Sequence, residues 1–479
     1  MSLTAATSFA ATTDPAVSLV SFRTSQGAEV QATMRRLVPQ SVTCEIHEPT
    51  LVLRASEVLD EFKIVLRSRP MYSGRAVVRS LVNAGPALVA EVALDENSWT
   101  EMQFDSGAIC REHLGNEFKD FVNGWQKFYL VEDDYKVVIA DIQTFLTDLR
   151  LWLDQVELGI QSASGAQRLK HETEIAHELR DPVTSALANM FERFETIADS
   201  IEAELQPVHR AFGQRHLHPE LLCAPFIHRT YTKPLGYAGD YEMMNMIVRN
   251  GLEGNSLYAK LANAYLLNQP GSQAVRNRVG FLCDRIIAET SRVSRLARPA
   301  NIYCIACGPA WEVVNFLAEH PLADHARFDL LDFNEETLRY TSNKVGEVLR
   351  QHHRNTQVQF IKKSVQNLLR SKSKPASNDS GYDLIYCSGL YDYLNDRVIK
   401  ALNTYLYDQL RPGGLLVVGN FAPNTPVRNF IEHFLEWFLI YRDSKELAEL
   451  SPEQASPGDC RVIAEPTGAN LFLEVRKPR

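Results

Sequence analysis

The spacing of apolar positions changes twice along the chain. Over residues 17–99, the runs EVQATMRRL, VTCEIHE, FKIVLRS and RAVVRSLVNAGPALVAEVAL carry β-branched residues in partial alternation, with turn residues such as Asn83 and Gly85. This pattern predicts short strands. From about Glu117 to Ile160 the period lengthens. Val138, Ile142, Phe145, Leu149, Trp152 and Val156 recur at three- and four-residue steps, which predicts a long helix with one apolar stripe. The polar stretch QSASGAQRLKHETE reads as a linker or a helix junction. VTSALANMFERFETIADSIEAEL is again helical, and the Pro/Gly/Tyr-rich segment IHRTYTKPLGYAGDYEMM precedes two more helical stretches that end near Arg295.

After Arg298 strands and helices alternate. Strands are predicted at Ile302–Ala306, Phe328–Leu331, Val358–Ile361, Leu384–Cys387 and Leu415–Gly419, with helices starting at Trp311, Glu335, Arg397 and Val427. Strands joined through helices predict a parallel sheet covered on both faces. Two late strands, Arg461–Ala464 and Leu471–Val475, flank Pro466 and Gly468 and suggest a closing antiparallel hairpin.

Composition narrows the class. The 479 residues exceed one ordinary core, so two or three domains are expected. A hydrophobic content of 45% and a charged content of 23% fit a soluble globular protein. The net charge of −9 argues against general nucleic-acid binding, which needs clustered Lys and Arg. No apolar run is long enough to span a bilayer, and the N-terminus lacks the pattern of a signal peptide. Eight scattered Cys fit reduced thiols in a cytoplasm.

In an open α/β sheet, ligands bind beyond the carboxyl ends of the strands. The residues there are Ala306–Ala310, Asp332–Asn334, Ser364–Val365 and Cys387–Asp392. Gly308 permits close backbone approach. Asp332 ends the second strand, where an acid can take both ribose hydroxyls of an adenosine. A dinucleotide needs G-x-G-x-x-G, but the stretch here is Gly308-Pro-Ala-Trp-Glu312-Val, and Glu312 would repel a phosphate. A cofactor with adenosine and no phosphate fits better, and S-adenosylmethionine (SAM) is one. Cys304 and Cys307 form a C-x-x-C without a second pair, so a strand and its turn explain them better than zinc, and no metal is expected.

Over Arg298–Arg479 the chain resembles class I SAM-dependent methyltransferases, through IYCIACGPAWEVV, FDLLDFNEETL, YDLIYCSGLYDYL and LRPGGLLVVGNF. The resemblance implies a Rossmann-like α/β fold with a seven-stranded sheet. It places Ala306 and Gly308 against the amino-acid part of SAM, Asp332 on the ribose and Phe333 beside the adenine. Ser364 stands where many members have an acid, so Val365 offers its backbone N–H instead, and Cys387 and Gly389 line the methionine side. From Arg229 onward, RTYTKPLGYAGDYEMM and FLEWFLIYR resemble a bacterial family associated with 3-hydroxypalmitic acid methyl ester, a quorum-sensing signal. That resemblance implies a helical cap with Tyr237, Gly239, Asp240 and Tyr241 near the sulfonium. It leaves Arg276 to pair with the SAM carboxylate through a forked donor. Tyr391, Asp392, Tyr393 and His433 are the candidate bases for an acceptor that needs deprotonation. His433 and Trp437 are expected one turn apart on an apolar helix Phe430–Tyr441 that can line an acyl channel.

The N-terminal β region, over Gln31–Ala93, resembles PilZ domains, small barrels that can bind cyclic di-GMP. The ligand signature of that family is degraded here: Pro39 and Gln40 stand where its second Arg belongs, Arg54-Ala-Ser56 replaces D-x-S, and Leu59 replaces its Gly. Cyclic di-GMP is therefore not expected. The resulting division is a lead-in without regular structure (1–16), a barrel (17–116), a connecting helical region suited to a homodimer or to intrachain packing (117–225), a helical cap (226–297) and the methyltransferase domain (298–479). Glu174-Ile-Ala-His177 and the histidines His209, His216, His218 and His228 have the makings of metal ligands but lack partners at ligand spacing. The expected activity is a cytoplasmic SAM-dependent methyl transfer to a small acid such as a hydroxy fatty acid. The alternative is a signalling protein that binds SAM and senses it.

Overall fold

A computed structural model describes residues 19–24, 26–47, 51, 53–66, 69–83, 88–95, 98–99, 115, 118–119, 122–123, 130–162, 164–370 and 381–479. The lead-in expected over 1–16 and the start of the helical region at Glu117 lie outside them. By contacts the described chain divides into two compact units. The first takes the residues up to His177 together with Thr196–His228 and Glu253–Ala262. The second takes Glu178–Glu195, Arg229–Leu252 and Asn263–Arg479.

In the first unit, strands β1 (Leu19–Arg23), β2 (Glu29–Val38), β3 (Ser41–Ile46), β4 (Val58–Leu66), β5 (Arg69–Asn83) and β6 (Leu88–Leu94) close into a barrel, ordered β1-β2-β3-β6-β5-β4. Alternation sets its inside. Val42, Cys44 and Ile46 of β3 point inward, as do Phe62 and Ile64 of β4, and closure leaves no free sheet edge. Leu59, which stands where the PilZ signature has glycine, is fully buried in this core.

Two long helices follow, α1 (Asp133–Gln161) and α2 (Gly165–Ser200), and then α3 (Gln206–Leu221). On α1 the buried residues are Tyr135, Val138, Ile139, Ile142, Leu146, Leu153 and Ile160. The expected stripe holds at Val138 and Ile142 and then shifts by about one residue, leaving Trp152 48% exposed. The helix carries two adjacent apolar stripes, and its packing partners select between them. Among the histidines, His209 is buried, accepts from Glu132 N (2.9 Å) and meets Leu205 O (2.8 Å). It is a junction residue. No group of three or more potential metal ligands occurs among the described residues, and no helix there is long and apolar enough to cross a membrane.

The second unit is built on a seven-stranded sheet: β7 (Ala300–Ile305), β8 (Ala326–Asp332), β9 (Gln357–Lys362), β10 (Tyr382–Cys387), β11 (Leu410–Phe421), β12 (Cys460–Ala464) and β13 (Asn470–Arg476). The order is β12-β13-β11-β10-β7-β8-β9. β9, β8, β7, β10 and β11 run parallel, while β13 pairs antiparallel with β11 and β12 with β13. The hairpin expected from Pro466 and Gly468 therefore forms the antiparallel edge. β7 and β10 are buried along nearly their whole length, because helices cover both faces of the sheet. One layer includes α7 (Pro270–Ser294), α8 (Trp311–Glu319) and α9 (Glu335–Gln351), and its core runs through Ile302, Cys304, Leu330 and Tyr386. The other core includes Ile305, Ile385 and Val418 with Leu402 and Leu406 of α11 (Asp396–Gln409). The short helix α10 (Val365–Arg370) lies between β9 and β10. From β7 the chain winds outward to β8 and β9, then returns to β10 on the other side of β7. This reversal opens a crevice at the carboxyl ends of β7 and β10.

Candidate functional site

The turn after β7 has an unusual backbone. Ala306, Gly308 and Ala310 all have positive φ, at 53°, 51° and 50°. For each alanine that conformation costs about 1 kcal/mol, so the surroundings must hold it. Asp332, buried at the end of β8, accepts from Gly308 N (3.1 Å) through one oxygen and from Asn334 N (2.9 Å) through the other. Thr341 Oγ1 on α9 donates to Gly308 O at 2.6 Å. Burial raises the Asp332 carboxyl, and the backbone donors oppose that rise. A Cβ on Gly308 would meet no atom within 4 Å, so the turn faces open space. Phe333, the next residue after Asp332, is 54% exposed, with its ring 5.3 Å from that of Tyr237.

The opposite wall follows β10. Cys387 is buried and burial raises its thiol. Ser388 Oγ is buried with no hydrogen-bond partner. Gly389 has φ 84°, and a Cβ there would lie 3.2 Å from Arg278 Nη2. Arg278 on α7 thus presses against the bare backbone of Gly389. Its one hydrogen bond among the described residues goes to Met244 Sδ, at 3.1 Å. Burial lowers its affinity for the proton, and Asp392 and Glu312 partly restore it. A guanidinium keeps a planar fork of donors that matches a carboxylate.

The segment before α5 (Tyr241–Arg249) is tied down on several sides. Arg229 Nε donates to both oxygens of Asp240 at 2.9 Å, and Asp240 Oδ1 caps α5 by accepting from Met243 N at 2.9 Å. Lys233 Nζ donates to Glu436 O (2.9 Å), and Tyr241 Oη to Glu336 Oε1 (2.9 Å). Gly239 lies against Tyr393, where an added Cβ would sit 2.9 Å from Oη. Ser364 accepts from Asn367 N at 3.3 Å, so it caps α10, with Val365 the first helical residue.

Several expected roles change. Arg276 does not reach the crevice through a free guanidinium. Nη1 donates to the carbonyls of Ile247 (3.2 Å) and Leu267 (2.8 Å), and Nη2 to Gln273 Oε1 (2.8 Å). It satisfies carbonyls near helix ends, which lack donors of their own. Arg278, two residues further on, is the arginine that lies against Gly389. Tyr391 is fully buried, its hydroxyl donating to Asn403 Oδ1 at 2.6 Å, so it is not an acceptor-side base. His433 is buried, with its ring 5.5 Å from Phe194 and 6.3 Å from Phe434. The apolar helix expected over Phe430–Tyr441 stops early. α12 covers only Arg428–Phe434, and Glu436 has φ 49°. His433 and Trp437 are therefore not one helical turn apart. Asp240 is a helix cap and the ion-pair partner of Arg229. Glu312 lies in the first turn of α8, as expected. It is buried against Tyr386 Oη at 2.8 Å, and burial raises its carboxyl. Cys304 and Cys307 are buried in packing.

Arg442 is a residue that motif reading passes over. It is buried, and its donors reach Tyr391 O (3.1 Å), Asn420 Oδ1 (2.7 Å), Leu394 O (2.7 Å) and Asp396 Oδ1 (2.7 Å). Asp392 Oδ1 accepts from Phe421 N (2.7 Å), and Asp392 O from Ile440 N (2.7 Å). The loop after β10 is thereby fastened to the end of β11. The signal was a lone cation closing the apolar run FLIYR.

Burial raises the Asp392 carboxyl to about 6, opposed by the Phe421 N–H, Arg278 and Arg442. An acid whose pKa is higher in the folded chain binds its proton more tightly there, so stability falls as pH rises from about 4 to about 6 and stays lower above. We expect Asp392→Asn, which keeps an oxygen for Phe421 N, to gain in melting temperature relative to wild type over that interval. A wild-type-to-variant difference that stays constant from pH 4 to pH 8 would contradict this.

No protein-family model matches the chain, and no curated protein matches it. Among solved structures, a possible exported protein from Bordetella parapertussis is 17% identical over 53% of this chain and 86% of its own, with a TM-score of 0.40. Magnesium protoporphyrin IX methyltransferase from Synechocystis PCC 6803, with bound S-adenosylhomocysteine (SAH), is 14% identical over 52% of this chain and 98% of its own, at 0.34. The N-methyltransferase NodS from Bradyrhizobium japonicum WM9, with bound SAH, is 14% identical over 41% and 86%, at 0.27. Likeness at this level says nothing of activity.

Proposed function

We propose that the second unit is a SAM-dependent methyltransferase acting on a small or lipid-like acid, with a 3-hydroxy fatty acid as the favoured acceptor. One observation carries this reading. At the reversal point of the sheet, Asp332 is bonded to the open Gly308 turn on one wall, and the carboxylate-free guanidinium of Arg278 lies against Gly389 on the other. The residues fit the cofactor: a buried acid for the ribose hydroxyls, an exposed Phe333 for the adenine, Arg278 for the carboxylate, and an unpartnered Ser388 Oγ beside them. SAM supplies an activated methyl group on a sulfonium. The chain's part is to align and to exclude water. A carboxylate acceptor needs no proton removed at neutral pH. The burial of Tyr391 and His433 takes two of the candidate bases out of reach, which favours such an acceptor.

The same burial keeps a second reading in view: a sensor that binds SAM without turnover, with the barrel as a PilZ-like interaction module. Isothermal titration with SAM, followed by a methyl-release assay with 3-hydroxy fatty acids, separates the two. Binding and ester formation are expected. Binding with no transfer to any acid favours the sensor, and no binding sinks both.

A further inference from the structure

Tyr393 is 40% exposed and ends the short helical turn Tyr391–Tyr393 after β10. Its hydroxyl oxygen accepts from the indole Nε1 of Trp437 at 2.7 Å. With that lone pair taken and the ring anchored, the hydroxyl proton remains available to donate. A phenol keeps its proton at neutral pH, so the group serves as a donor and not as a base. Over the oxygen lies the bare Cα of Gly239, where a methyl group would come within 2.9 Å. Arg278, the cation that lies against Gly389, interacts electrostatically with Tyr393.

We propose that Tyr393, braced by Trp437 and spared a clash by the missing side chain of Gly239, holds the methyl acceptor through a hydrogen bond to an acceptor oxygen, and so selects a carboxylate over an amine. This rests on the methyltransferase reading. One carboxylate oxygen accepts from Tyr393 while the other forms the new O–CH3 bond. The S–CH3 bond breaks, its electron pair stays on sulfur to give SAH, and no proton moves. An amine in the same place would meet Tyr393 with N–H groups and would have to lose a proton. Asp392, the acid beside it, is buried and bonded to Phe421 N.

The test uses the full chain with SAM and three probes of equal chain length: octanoate, 1-octanol and octylamine. Methyl transfer is followed by mass spectrometry, and SAM and octanoate binding by titration. Octanoate is expected to bind and take the methyl group. Tyr393→Phe and Gly239→Ala should each raise its KM or Kd about tenfold, the loss of one hydrogen bond to a charged group, with SAM affinity unchanged. Because both act at one oxygen, the double variant should be no worse than either single one. Transfer to octanol or octylamine in place of octanoate overturns the proposal. So does a Tyr393→Phe variant with unchanged octanoate affinity, or octanoate failing to bind while SAM binds. Failure of SAM itself to bind would instead strike the methyltransferase reading.

Discussion

Asp332→Ala should weaken SAM binding by about 100-fold or more, since two hydrogen bonds to a carboxylate contribute roughly 1.5–3 kcal/mol each. The loss has a second source. The carboxylate bonds Gly308 N and Asn334 N, and it stands beside a turn with three left-handed residues. Removing it leaves two backbone donors without partners and releases the turn from a buried side-chain acceptor. Melting temperature should therefore fall as well. Asp332→Asn separates the effects. It keeps the shape and one accepting oxygen, so it should preserve more of the fold than alanine while still losing SAM affinity through the lost charge. Titration calorimetry and thermal unfolding on both variants read this directly. A SAM affinity unchanged in Asp332→Asn and Asp332→Ala would remove the crevice from consideration as a cofactor site.

The paired substitutions Arg278→Met and Arg276→Met should give opposite results. Arg278 is a crowded cation whose one hydrogen bond among the described residues goes to a sulfur. Replacing it should raise the SAM Kd about 10- to 100-fold, the value of a charge-assisted pair at about 1.5–3 kcal/mol. Stability should hold or improve, because a desolvated charge without a contacting carboxylate is replaced by an apolar chain of similar volume. Arg276→Met should leave the SAM Kd unchanged and lower stability by about 1–3 kcal/mol, because carbonyls of Ile247 and Leu267 lose their donor. The reverse pattern would restore Arg276 as the carboxylate partner.

Much of the second unit can be read from the order of residues. The alternation after Arg298 places the strands of the seven-stranded sheet within a few residues of their final extent, apart from β11, which begins five residues earlier at Leu410, because the central strands, buried on both faces, are continuous apolar runs; the edge strand β9 is only partly buried. The hairpin at Pro466 and Gly468 is equally local. Gly308 and Asp332 are legible because each sits at a strand end, and strand ends in an open sheet converge on one crevice whatever the helices do. The barrel core follows from period-two alternation. The stripe on α1 is less determinate, since neighbouring apolar positions offered two faces and only packing chose between them.

The assignments that changed are of one kind. Arg276 and Arg278 are two residues apart on α7, which turns them by about 200° and sends them to opposite faces. One is bound by helix-end carbonyls and the other lies against Gly389. Tyr391 and Tyr393 flank Asp392 in a single short turn, and one is sealed against Asn403 while the other meets Trp437. The sequence by itself determined the sheet, the crevice and the residue types around it, since those follow from local periodicity and from where strands end. Which arginine lies against Gly389 and which tyrosine meets Trp437 was set by tertiary packing alone. A rotation of a helix about its axis costs nothing in the sequence pattern, and only the neighbours it packs against fix it.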